Sequence, residues 1–267
     1  MFDVDMPLSR KWNPEFYKKL QRIIRFQTLL SRRRIKDITN GLTMPEISAV
    51  PLGSAKRMEA AVLFFDLADF TATTSKITEE QTLTMLNIII PTIMQVVRNW
   101  NGEIEKNTGD GIMAIFGTET RNSAIIAKDA IECAMAIKYT IVNDLWQKLA
   151  ELGLSPLDFR IGIDMGQLLI ARLGIPSYSF LTAVGSSANR AAKLQSLARN
   201  NGICIGHNLF SNLHPDLWPY CEVGTDPSWQ WIRGNPPVPY GFFHFLLDWP
   251  EPKEWMKALI RRKRLLY

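Results

Sequence analysis

Residues 60–65 read Ala-Ala-Val-Leu-Phe-Phe, an unbroken apolar run that stops at Asp66. A strand with one wet face alternates apolar and polar side chains; a continuous run needs cover on both faces. This stretch therefore predicts a central strand sandwiched between layers, ending in a carboxylate. The flanking sequence supplies the layers. Residues 78–100 predict a helix capped by Thr78, with Glu79 and Glu80 in its first turn and a kink at Pro91. Glu103–Lys106 and Ile112–Phe116 predict two short strands around the glycine-flanked hairpin Asn107-Thr108-Gly109-Asp110-Gly111. A long helix follows over 121–151, then a strand at Phe159–Ile163, a turn at Met165-Gly166 and a further strand through Leu168 to Leu173. Residues 186–199 predict a helix, Ile203–Ile205 a strand, Tyr240–Leu247 a final strand and 252–264 a short basic helix. Strands and hairpins alternating with helices imply an α+β fold, a mixed sheet covered by helices.

Three segments follow from these patterns. Residues 1–55 form a basic extension, with an amphipathic helix over 13–34 and a Gly/Pro-bearing linker over 40–56; residues 56–210 form the core; residues 211–267 form an aromatic tail. The basic charge gathers at the ends, in residues 10–35 and in Arg261-Arg262-Lys263-Arg264. Nucleic-acid contact there competes with a solvated helix face, and the aromatic-basic sheet signature of RNA-binding modules is missing. Three cysteines, Cys133, Cys204 and Cys221, match neither a zinc pattern nor a disulfide framework, so a reducing cytoplasm is the expectation. Met1–Pro7 does not read as a signal peptide, and Met85–Val97 is too short and too polar to cross a membrane.

Two residues stand apart from the needs of folding. Asp66 lies where the apolar strand meets a loop, and Asp110 lies at the tip of the hairpin. If their strands are neighbours, the two carboxylates converge on one sheet edge. Hard oxygen donors of this kind suit Mg²⁺ or Mn²⁺, with substrate phosphates completing the shell. Taken singly, Asp66 also reads as a cap and Asp110 as a turn residue.

Four stretches in order carry a resemblance: Phe65-Asp66-Leu67-Ala68-Asp69-Phe70-Thr71; Lys106 through Gly117; Phe159-Arg160-Ile161-Gly162-Ile163-Asp164-Met165-Gly166; and Val184-Gly185 through Asn189-Arg190-Ala191-Ala192-Lys193-Leu194. Together they resemble the motifs of class III nucleotide cyclases over about residues 58–206. The resemblance implies the ferredoxin-like catalytic domain of that family and closure of a nucleoside triphosphate to a 3′,5′-cyclic monophosphate. It implies two divalent ions, Mn²⁺ or Mg²⁺, on Asp66, Asp110 and the Leu67 carbonyl. One would activate the ribose 3′-hydroxyl and the other would hold the triphosphate. The amides around Phe70 and Thr71 would cradle phosphate oxygens, and Arg160 would add a cation. Asn189 would orient the ribose, Lys193 would stabilise charge on the α-phosphoryl group, and Lys106 and Thr182 would read the base. The family's homodimers share each site between two subunits.

Three departures matter. Asp69 stands where a glycine is usual, Lys193 where an arginine is usual, and Thr182 where adenine-selective members often carry aspartate. Lysine supplies charge without the planar fork of arginine. Lys106 replaces the glutamate of guanine-selective members. In its free-standing layout the chain is most similar to the bacterial pyrimidine cyclases of anti-phage defence, whose product is sensed by a separate effector. Lys106 donates only and suits uracil O4, so UTP is the expected substrate. ATP, CTP and a non-catalytic nucleotide-binding module are the alternatives.

Overall fold

The computed structural model describes residues 13–31, 55–117, 122–175 and 178–249. Helix α1 (Pro14–Ser31) opens it, followed by strand β1 (Ala55–Leu67), a short helix α2 (Phe70–Thr74) and helix α3 (Glu79–Asn99). Strands β2 (Gly102–Asn107) and β3 (Gly111–Phe116) form the hairpin, and helix α4 (Ser123–Thr140) leads through one π turn into α5 (Trp146–Ala150). Next come β4 (Phe159–Ile175), β5 (Tyr178–Val184), α6 (Ser186–Leu197), β6 (Gly202–Gly206) and α7 (His207–Asn212). The last described part holds a 3₁₀ turn, β7 (Cys221–Val223), a small hairpin of β8 (Ile232–Arg233) and β9 (Val238–Pro239), and β10 (Phe242–Phe245).

The main sheet runs β2-β3-β1-β4-β6-β10-β7, with β5 on β4. Its first four strands, joined through α3 and α4, have ferredoxin-like order. The pairings are antiparallel except β4 with β6. This is the α+β, mostly antiparallel sheet that the sequence implies.

Alternation along β1 explains why its run is wholly apolar. Ala61, Leu63, Phe65 and Leu67 face a large core built with α3 and α4, while Ala60 and Val62 face a smaller cluster with Ala188 and Ala191 of α6. The second face thus carries α6, and Asp66, in phase with Ala60 and Val62, emerges on it.

Several details differ from expectation. Met165-Gly166 is not a turn: β4 continues unbroken to Ile175, because its far half pairs with β1 on one side and β5 on the other. The helix predicted over 121–151 is interrupted by the π turn at Ile141–Leu145. Helix α3 continues through Pro91, and Thr78 caps it in a full capping box with Gln81. The segment 252–264 and most of the linker lie outside the described residues. The sheet extends past residue 210, since β10 pairs with β6. Helix α1 joins the large core through Phe16, Leu20 and Ile24, and Phe16 meets Trp100 edge-on. Tyr17 and Gln21 both donate to Asp144, and burial pushes the Tyr17 hydroxyl up to about 12.

Candidate active site

Asp66 is the penultimate residue of β1 before the loop to α2, in register with Gly111 on one side and Arg160 on the other. The Leu67 amide donates to the Asp110 carbonyl, which ties the strand end to the hairpin tip. A Cβ on Gly111 would meet an Asp66 carboxylate oxygen, the Phe65 carbonyl and the Thr108 hydroxyl, each at 2.8 Å. Only glycine lets the hairpin come this close. Burial raises the Asp66 pKa first, and the neighbouring negative charge of Asp110 raises it further; Arg160 and Gln195 offset part of this. The hydrogen bond from Gln195 Nε2 to Asp66 is long, at 3.4 Å. Two half-exposed carboxylates held together in this way favour a cation between them.

After Ala68 the chain turns through Asp69, whose φ of 53° is left-handed, into α2, so Phe70 and Thr71 open a helical turn beside Asp66. The residue standing in for the family's usual glycine adopts a glycine-like conformation. Thr71 is exposed, whereas the Phe70 ring packs against the large core. Arg160 grips Asn200 with Nε and Nη2, at 3.0 and 2.8 Å.

Helix α6 carries the remaining residues and lies directly on β4. A Cβ on Gly162 would fall 2.6 Å from Gln195 Cα, and closer still to backbone atoms of Gln195 and Ala191. Asn189 and Lys193, one turn apart, share an accessible face of α6. Gln195 points to Asp66, while the charge of Lys193 acts on Asp226 in the tail. Among the described residues, no hydrogen bond or ion pair joins Asn189 or Lys193 to Asp66 or Asp110.

Lys106 lies exposed on β2, with Nζ 3.3 Å from Glu105 Oε2. Glu105 Oε1 accepts from the Ala183 amide, one peptide beyond Thr182. The structure thus links the regions of Lys106 and Thr182 through a residue that the motif comparison does not single out.

A second arrangement also escapes the motifs. Asp164 on β4 is fully buried and ion-paired with Arg190 of α6; Tyr240 donates to its other oxygen at 2.7 Å. The Arg190 guanidinium lies over the Tyr240 ring, 4.3 Å from its centroid, and 5.7 Å from that of Trp231. Burial raises the Asp164 pKa, and Arg190 is the largest influence opposing that rise. The aromatic tail therefore locks the helix that bears Asn189 and Lys193. Only the charge of Arg190 beside Asn189 hinted at this in the sequence.

Family comparison fits this geometry. The family described as adenylate and guanylate cyclase catalytic domain matches residues 53–224. The chain belongs to this family. It is 26% identical over 199 residues to a cytidylate cyclase of Escherichia coli, covering 72% of this chain and 44% of that protein. It is 28% identical over 163 residues to a uridylate cyclase of Burkholderia cepacia, covering 60% of this chain and 69% of that one. The match thus spans less than half of the cytidylate cyclase's length. Among solved structures, the adenylyl cyclase CyaB from P. aeruginosa superposes with a TM-score of 0.64 at 21% identity, covering 73% of this chain and 97% of that chain. Among the described residues, no helix is long and apolar enough to cross a membrane.

Proposed function

We propose that this chain is a nucleotide cyclase that converts a pyrimidine nucleoside triphosphate, UTP by preference, to its 3′,5′-cyclic monophosphate and pyrophosphate. Its role would be that of a second-messenger synthase in anti-phage defence, acting in the cytoplasm. The observation that carries the reading is Asp66 at one strand end, its pKa raised by burial and then by the neighbouring charge of Asp110. Among the described residues no cluster of three or more His, Cys, Asp or Glu side chains could complete a protein-only metal cage. Two carboxylates plus the Leu67 carbonyl fit a divalent ion whose shell the substrate phosphates finish. When bound, Mn²⁺ or Mg²⁺ would supply Lewis-acid stabilisation of phosphate charge.

This chain's own side chains do the rest. The amides of Phe70 and Thr71 meet phosphate oxygens, and Arg160 adds positive charge at the same edge. Asn189 fixes the ribose by hydrogen bonds, so that its 3′-oxygen lies in line with the α-phosphorus. Lys193 faces the charge that develops on the α-phosphoryl oxygens. A homodimer would complete each site, with Asp66 and Asp110 from one subunit and Asn189 and Lys193 from the other, a reading supported by the family resemblance. Asp66→Ala and Asn189→Ala, each inactive alone, should regain activity when mixed and allowed to exchange subunits. No recovery despite proven exchange rules out the shared site.

Lys106 as donor and Thr182 as donor or acceptor support uracil. CTP is a second reading, supported by the cytidylate cyclases among the relatives. Incubation with equal concentrations of ATP, GTP, CTP and UTP plus Mn²⁺, read by mass spectrometry, tests both. Predominant cUMP supports the proposal. Predominant cAMP or cCMP replaces the substrate, and no cyclic product leaves the non-catalytic module.

A further inference from the structure

The pairing of β2 with β3 contains an irregularity that decides where Lys106 points. Ile104 pairs with Ala114, but Lys106 pairs with Met113, so Glu105 is an extra residue with no partner across the ladder. Side chains of paired residues project to the same face of a sheet. Ala114 belongs to the large core beneath α3 and α4, and Ile104 packs there too. Met113 belongs to the opposite cluster, beneath α6 and Ala183. Without the bulge, Lys106 would fall in phase with Ile104 and be directed at the helical core. The bulge turns it to the face that carries α6 and β5, the re-aiming that bulges perform beside functional sites.

Glu105 itself is not spent on folding. Its side chain is only 2% exposed. Oε1 accepts from the Ala183 amide at 3.3 Å, and Oε2 has no hydrogen-bond partner beyond the nearby Lys106 ammonium. Strand β5 is otherwise paired only with β4. The Glu105 carboxylate is therefore a tether from β2 across to the free edge of β5. It grips Lys106 with one oxygen and the peptide that joins Thr182 to Ala183 with the other. A buried carboxylate whose second oxygen has only an ion pair and no hydrogen bond is costly to the fold, which is the mark of a group retained for a task.

Resting on the cyclase reading, we propose that Glu105 is a positioning residue for base selection. It holds the Lys106 ammonium against Thr182 at one fixed spacing and takes up one of its three donors. The remaining donors then face a base edge from a defined place, next to a pair with no net charge. A neutral pyrimidine edge with a carbonyl acceptor meets that arrangement well.

The test is the ratio of cyclic products in an equimolar mixture of the four nucleoside triphosphates, for wild type, Glu105→Gln, Lys106→Ala and the double variant. Glu105→Gln keeps an oxygen for the Ala183 amide while removing the ion pair, so thermal unfolding should match wild type. The preferred-to-second product ratio, whichever base leads, should fall about tenfold in Glu105→Gln. The double variant should show the ratio of Lys106→Ala alone, because Glu105 acts through Lys106. A residue that merely braced the fold would lower all products in proportion. An unchanged ratio in Glu105→Gln, or additive losses in the double variant, overturns the proposal. If wild type makes no cyclic product, the cyclase reading fails by itself. The same four proteins then report through the binding ratio of UTP to ATP, which should shift in the same order, and an unchanged binding ratio is equally fatal.

Discussion

Replacing Gly162 with alanine should displace helix α6, which bears the proposed catalytic pair Asn189 and Lys193, as a body. An added Cβ would lie 2.6 Å from Gln195 Cα and closer to the backbone of Ala191 and Gln195. Carbon atoms pack at roughly 3.5–4.0 Å, so α6 must retreat by about 1 Å. No side-chain rotation can absorb this, because the obstructing atoms are backbone. Overpacking of this kind costs about 1–3 kcal/mol, which for a chain of this size lowers Tm by roughly 2–12 °C. Misplacement of reacting groups by 1 Å costs on the order of a hundredfold in rate. Asn189 and Lys193 ride on α6, so kcat should fall by about that factor. Gly166 is the matched control. It lies in the same strand and on the same face, but its added Cβ would meet Ser187 Cβ at 3.5 Å, an ordinary contact. Cyclic product formation and thermal melts on both variants make the comparison. Gly166→Ala should behave as wild type. If Gly162→Ala retains wild-type kcat and Tm, the close seating of α6 does not position its side chains, and the reasoning fails.

Two further outcomes follow from the charges. The folded-state pKa of Asp66 lies above its unfolded value, because burial and then Asp110 disfavour the anion. Stability from this group is present below the unfolded pKa and is lost as pH rises through the folded one. Asp66→Asn should therefore raise the metal-free Tm at pH 7–8, with the gain fading near pH 4, and Mn²⁺ should stabilise wild type but not the variant; a lower metal-free Tm for the variant at pH 7 contradicts this. Arg190→Met should cost about 3–5 kcal/mol by leaving Asp164 buried and unpaired, and Asp164→Asn in the same chain should recover part of it in urea unfolding, whereas simple addition of the two losses would show that the pair is not coupled.

Much of the fold is legible because local signals agree with the tertiary outcome. The run Ala60–Phe65 is wholly apolar because both faces of β1 are covered. Thr78, with Glu79 and Glu80 after it, announces the start of α3, and the structure adds a capping box with Gln81. The misreadings share a cause. Gly166 suggested a turn, but β4 runs straight through it, because pairing with β1 there holds the backbone extended. The π turn at Ile141–Leu145 has no composition of its own. The motif residues of the site are legible one by one, while the relations between them are not. No pattern in Glu-Lys-Asn reveals a bulge, since a bulge depends on the register of the neighbouring strand. Tyr240 lies 76 residues from Asp164, a contact that no local periodicity encodes.

The carboxylates of this chain sort themselves by how they are neutralised. Asp164 has Arg190 and Tyr240. Glu132 has the Trp100 indole at 3.0 Å and Lys128 at 3.9 Å, and Asp129 has Asn101 at 2.9 Å. Asp158 is held by Asn200 and Asn201. Each of these contributes to holding two elements together, and each finds its donors within the chain. Asp66 is different. It accepts only a long bond from Gln195, burial and then the charge of Asp110 raise its pKa, and Arg160, the cation in register with it, is turned to Asn200. The strand end thus holds Asp66 and Asp110 side by side with little positive charge turned to them, at the sheet edge where α2 begins. Repulsion between like charges is costly to maintain unless something outside the chain repays it. Under the proposed function a divalent cation carrying a triphosphate would meet that need, and Gly111 fits the same reading, since it lets the hairpin tip approach Asp66.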